Sequence, residues 1–148
     1  MRDRSGFSIM EMVVVIVILG VMTTITVQRI GPAQARYSVQ SARTVLASMA
    51  QRTRAHAVEG AGLSLLVMDF AGDSATIRSG ATTLDTFHFD DELGVDMTSS
   101  VSSATVCMNS KGYADTRCTS FTARLTVSFA LNEHTTSLDI LPLGQVTY

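Results

Sequence analysis

An α+β fold, with a long N-terminal helix packed on an antiparallel β-sheet, is predicted by three observations. The first is an apolar run from Met12 to Met22, MVVVIVILGVM, without one polar side chain. The second is a helical period in the apolar residues that follow, as far as Glu59. The third is a change after Gly62 to alternation with period two, broken by short turn sequences. A chain of 148 residues has room for one globular domain beside such a helix. Hydrophobic residues at 46% exclude global disorder, and charged residues at only 16% point to a membrane-linked or secreted chain. The formal charge of -2 excludes a uniformly basic nucleic-acid binder. Two cysteines exclude a disulfide-dense scaffold and a four-thiolate zinc site.

The first element covers residues 7–30. Phe7 to Val27 is 21 residues, largely apolar, with Glu11 as its one acid. As a helix it spans about 31 Å, enough for a bilayer core of about 30 Å. Arg2 and Arg4 precede it, which predicts a cytoplasmic N-terminus and places everything beyond Ile30 on the far side. Three readings fit: a secretory signal peptide cut after Ala33-Gln34-Ala35, a plain signal anchor, and a segment that needs its acid. The first two leave Glu11 unexplained, since a carboxylate in an apolar helix costs about 2.5–3.5 kcal/mol.

Gly31-Pro32 predicts a kink or short break, because proline removes a backbone donor and crowds the preceding turn. The helical pattern resumes over residues 31–59. Val39, Ala42, Leu46, Met49, Thr53 and Ala57 recur at steps of three and four and define one apolar face, and Gly60-Ala61-Gly62 ends the helix. Residues 60–148 form the β domain. Strands are expected at Leu63–Asp69 and Ser74–Ser79 around the turn Ala71-Gly72-Asp73, then at Leu84–Phe89 and Val101–Met108. Phe121–Leu131 alternates clearly. The turn Asn132–Thr135 leads to Thr136–Leu141 with Leu138 and Ile140 inward, and Gly144–Tyr148 adds a last short strand.

Gly6-Phe7-Ser8-Ile9-Met10-Glu11, followed by the apolar run, resembles the class III signal of type IV pilins and type II secretion pseudopilins. The resemblance implies a pilin-like fold and a leader of residues 1–6. It implies cleavage between Gly6 and Phe7 by a prepilin peptidase, N-methylation of Phe7, and a role for Glu11 in assembly. There Glu11 meets the N-terminal amine of a neighbouring subunit, and a buried carboxylate is tolerable beside such a cation. Arg54-Ala55-His56-Ala57, Gly62 before a strand, Asn109-Ser110-Lys111-Gly112 and the late hairpin closing at Gly144 resemble, more narrowly, the H-type minor pseudopilins grouped with FimT-like minor pilins.

Other constellations carry less chemistry. Cys107 and Cys118 flank the turn Asn109–Arg117 and can cross-link in an oxidising compartment; two separate buried thiols are the alternative. Asp90-Asp91-Glu92 with Asp96 lacks the ligand spacing of a calcium loop and reads as a solvated acidic loop. His56, His88 and His134 show no metal-ligand spacing, so no metal and no cofactor is expected. No Gly-x-Ser-x-Gly, Walker loop or dinucleotide fingerprint is present, and nothing supports an enzyme. Charge is divided along the chain. Residues 29–59 carry five arginines against Glu59, a net +4, whereas residues 60–148 carry four bases against ten acids, a net -6. These zones either help subunits find register or dock the basic helix on its own domain.

The expected function is therefore structural: a minor pseudopilin of a type II secretion pseudopilus that helps export folded proteins. The resemblance implies other pilins or pseudopilins as partners through the N-terminal helices, and anchorage in the bacterial inner membrane with the C-terminal domain periplasmic. It also implies contact with the inner-membrane assembly platform. The alternative is a FimT-like type IV minor pilin for pilus assembly or DNA uptake. Capture of DNA needs exposed Arg or Lys, and Leu141–Tyr148 has none, so nucleic acid is not an expected partner.

Overall fold

The structure is a computed structural model that describes residues 9–148, with the side chains of residues 23–32 left aside. Its first element, α1, is one helix, Ile9–Glu59. The expected break at Gly31-Pro32 is absent, because proline costs a helix one backbone donor while the turns on either side stay bonded. The chain divides into two compact units, one ending at Gln34 and the other covering Ala35–Tyr148.

In the second unit the helical face read from the sequence is the buried one. Val39, Ala42, Leu46, Met49, Thr53 and Ala57 are all buried, joined by Ala47 and Ala50. Thr53 is tolerated there because its hydroxyl donates to the Met49 carbonyl at 2.8 Å, four residues back. The helix ends in a Schellman pair: the Gly62 N–H donates to the Ala57 carbonyl and the Ala61 N–H to the Val58 carbonyl. The left-handed position falls on Ala61, at φ 47°, and not on either neighbouring glycine.

The β domain runs β1 (Ser64–Asp69), β2 (Ser74–Ser79), β3 (Thr82–His88), α2 (Phe89–Leu93), β4 (Asp96–Ser99), β5 (Ser103–Met108), β6 (Leu125–Leu131), β7 (His134–Ile140) and β8 (Val146–Thr147). Where one sheet was expected there are two, both antiparallel, ordered β3-β2-β1-β5 and β4-β6-β7-β8. Inward residues face each other across the ladders, as at Leu66 with Ile77 and Val106, and at Val127 with Leu138. They join the helix face in one apolar core, to which Phe89, Phe129, Met68, Met97 and Met108 contribute the bulk.

Several boundaries differ from the sequence reading. Phe89 opens α2 instead of closing β3, since its N–H leaves the ladder for the Asp73 carbonyl at 2.7 Å. The short β4 was missed because its four residues, DMTS, bury only Met97 and show no alternation. The strand expected from Val101 begins at Ser103, and that expected from Phe121 begins at Leu125, Ala123 being exposed. The turn before β7 is Asn132-Glu133, with Asn132 at φ 55°. One side chain ties the two sheets together: the Asp73 carboxylate, in the β1–β2 turn, accepts the Met97 N–H of β4 at 2.6 Å.

Candidate assembly and processing site

The described part of the site is the start of α1. Every large apolar side chain from Ile9 to Met22 is exposed, from 43% at Val15 to 85% at Ile9, so this stretch of the helix is apolar on all sides. A helix of that kind is stable when lipid or other helices surround it. Glu11 stands in its first turn and is exposed. Among the described residues no helix is long and apolar enough to cross a membrane; the stretch expected to do so, residues 7–30, extends beyond the described side chains at both ends. Gly6 and Phe7 lie outside the described residues.

The arginines of the second unit are largely engaged within it. Arg52 pairs with Asp85 of β3 at 2.7 Å. The Arg43 guanidinium lies over the Tyr148 ring, 4.2 Å from its centre, and donates to the Thr136 hydroxyl at 3.4 Å. Arg54 donates to the Gly144 carbonyl at 3.4 Å and its stem packs against Gly112. Of the two uses offered for the basic zone, docking on its own acidic domain accounts for these three. Arg36 lines an open polar groove of about 390 Å³ with Gln40, Glu133 and His134.

Cys107 and Cys118 are bonded to each other, their Cα atoms 5.8 Å apart, which lies within the usual span of a disulfide. Between them Asp115 and Arg117 form a two-pronged pair, with Nε and Nη2 of Arg117 at 3.2 and 3.0 Å from the carboxylate. The Arg117 side chain first, and its backbone N–H next, hold the Asp115 carboxyl below the usual carboxylate range, and Asp115 in turn raises Arg117. Asp90, Asp91, Glu92 and Asp96 are exposed on and beside α2. Among the described residues no three or more His, Cys, Asp or Glu side chains are grouped to hold a metal ion, and His56, His88 and His134 stand on separate elements. The Asp115–Arg117 pair and the Asp73 tie were not singled out from sequence. The signal for both was an aspartate in a turn, a residue that bonds its own or neighbouring backbone there.

Comparison with known proteins bears on both ends of the chain. Residues 1–27 match the family described as the prokaryotic N-terminal methylation motif. No curated protein sequence matches the chain. Crystal structures of the type IV minor pilin FimU from Pseudomonas aeruginosa PAO1 share the fold. In one crystal form the identity is 19% and the TM-score 0.55, over 76% of this chain and 88% of that one. In a second form the identity is 17% and the TM-score 0.52, over 73% and 90%. The chain thus carries a prokaryotic N-terminal methylation motif at its start and shares the fold of a type IV minor pilin behind it.

Proposed function

We propose that this chain is a minor pseudopilin of a type II secretion pseudopilus, a structural subunit that helps move folded proteins out of the cell. It is made as a precursor, cut between Gly6 and Phe7 by prepilin peptidase, methylated at Phe7, and drawn from the inner membrane into the filament by the assembly platform. The observation that carries this reading is the helix from Ile9 to Met22, exposed and apolar on every side with a single acid. Before assembly, lipid surrounds it as part of a spanning segment over residues 7–30, with the β domain in the periplasm. After assembly, the N-terminal helices of other pilins or pseudopilins do. Glu11 then faces the positive amine of Phe7 on a neighbouring subunit, a pairing that offsets the cost of burying either charge.

The likeness to FimU favours a second reading, in which the filament is a type IV pilus. DNA uptake is the weaker form of it. Arg43, Arg52 and Arg54 are engaged within the domain, and the stretch Leu141–Tyr148 carries no base to meet phosphates. Intact mass and N-terminal sequencing of membrane-extracted protein test the processing, and the expected first residue is N-methylated Phe7. A chain beginning at Arg36 overturns it. Deletion with complementation separates the filaments: loss of protein export supports the pseudopilus, and loss of surface pili with export intact supports the pilus.

A further inference from the structure

β5 forms one edge of its sheet and is bonded to β1 alone among the strands. Its outward backbone groups at Thr105 and Cys107 are nevertheless occupied. The Thr105 N–H donates to the Ser120 hydroxyl at 2.8 Å, and the Thr105 carbonyl accepts the Ser120 N–H at 3.0 Å. The Cys107 N–H donates to the Thr119 hydroxyl at 3.3 Å, and the Cys107 carbonyl accepts the Asp115 N–H at 2.8 Å. A bridge between Met108 and Ala114 completes the seam. Residues 114–120 therefore lie along the edge as a strap, and the Cys107–Cys118 bond fixes the strap to the strand that it covers.

Beyond this seam, one further backbone bond holds the strap to the domain, from the Ala114 N–H to the Leu143 carbonyl at 3.2 Å. Ala114 and Thr119 are buried, while residues 116–118 and 120 are exposed, and two of the four groups beneath rely on side-chain hydroxyls. A segment with so few apolar contacts opens at low cost unless it is tethered. The edge beneath lacks the usual protection against strand addition. Residues 97–110 contain no charge and no proline, and β5 itself reads SATVCM.

We propose that residues 114–120 are a tethered cover for the β5 edge, kept shut by the Cys107–Cys118 bond, and that the surface beneath takes the β5 edge of a second copy of this chain. The exposed pattern is self-complementary. Two β5 strands set antiparallel about a two-fold axis at Val106 place Thr105 opposite the second copy's Cys107. The N–H and C=O groups of Thr105 and Cys107 in each strand then find partners in the other. A chain in which the bond has not formed is open to this pairing; the bonded chain is not.

Hydrogen exchange on the full-length chain in detergent tests the cover. In Cys107→Ser/Cys118→Ser the amides of residues 105 and 107 exchange about tenfold faster or more, while those of β6 and β7 keep their protection. If residues 105 and 107 stay protected, the strap does not need its tether. If the whole domain loses protection, the bond is a general staple. Either result overturns the proposal. Thr119→Val, with the bond intact, removes one hydrogen bond of the seam, and exchange at residue 107 accelerates alone; no change there also overturns it. For the partner, Cys118→Ser chains are mixed with chains carrying Thr105→Cys, Cys107→Ser and Cys118→Ser, then oxidised. A mixed covalent dimer is expected. Equal yield from a control with Thr83→Cys on β3 in place of Thr105→Cys overturns the pairing, as does absence of any dimer.

Discussion

Asp73 joins the two sheets, and a series of replacements there separates its two contributions. Its carboxylate accepts the N–H of Met97, a fully buried residue, and its backbone sits in the left-handed region at φ 43°. A charged acceptor lost from a buried N–H costs about 2 kcal/mol, and a neutral one in its place recovers most of that. Aspartate, asparagine and glycine tolerate the left-handed backbone, whereas alanine adds about 1 kcal/mol of strain. Asp73→Asn is therefore expected to lose about 0.5–1 kcal/mol, Asp73→Gly about 2 and Asp73→Ala about 3. The Phe89 N–H is unaffected throughout, since it bonds the Asp73 backbone carbonyl. Thermal unfolding of detergent-solubilised protein, followed by near-ultraviolet circular dichroism, reads the series, and the alanine variant should melt roughly 10 °C lower. An asparagine variant as damaged as the glycine one would refute the hydrogen-bond argument. Alanine and glycine variants of equal stability would refute the backbone argument.

Ala61→Gly relieves the left-handed strain at the end of α1 and should stabilise the domain by about 0.5–1 kcal/mol, seen as a rise in Tm. The Asp115 carboxyl should titrate below the ordinary carboxylate range in carbon-detected NMR, and Arg117→Gln should return it toward the ordinary value of about 3.9. Because the folded pKa is the lower one, the pair's contribution is present above the unfolded value and is lost as pH falls through the folded one. Glu11→Ala and Glu11→Val should still insert and fold but enter filaments poorly, whereas Val14→Leu should assemble normally. Assembly of the Glu11 variants at the level of the parent would leave the acid at most a signal for the peptidase.

The helix and the long hairpin were legible because their periods are sustained. The face from Val39 to Ala57 repeats over five turns, and Leu125, Val127 and Phe129 alternate against Leu138 and Ile140. The division into two sheets was not legible, because β4, an edge strand of the second sheet, has only four residues and buries one of them. Nor was the strap, whose hydrogen bonds to β5 run between residues 8–15 apart without any repeating pattern. The continuity of α1 through Gly31-Pro32 went against local propensity, which overstates what one missing donor does to a helix of 51 residues. At the start of α1 the motif was visible for the opposite reason: a carboxylate in an apolar run is conspicuous in any register.

The buried face of α1 is made mostly of short side chains, with Ala35, Ala42, Ala47, Ala50, Thr53 and Ala57 set between Val39, Leu46 and Met49. The bulk comes from the other side, where two phenylalanines and three methionines fill the space. This sets how substitutions are tolerated along the two surfaces. On the sheets, a change of shape at constant volume can be absorbed, because methionine bends into whatever gap is left. On the helix, size itself is the constraint: an added methylene at Ala42 or Ala57, both wholly buried, must displace the side chains packed around it. Polarity matters less there than girth, as Thr53 already demonstrates by carrying a hydroxyl into the interior at no loss of a hydrogen bond.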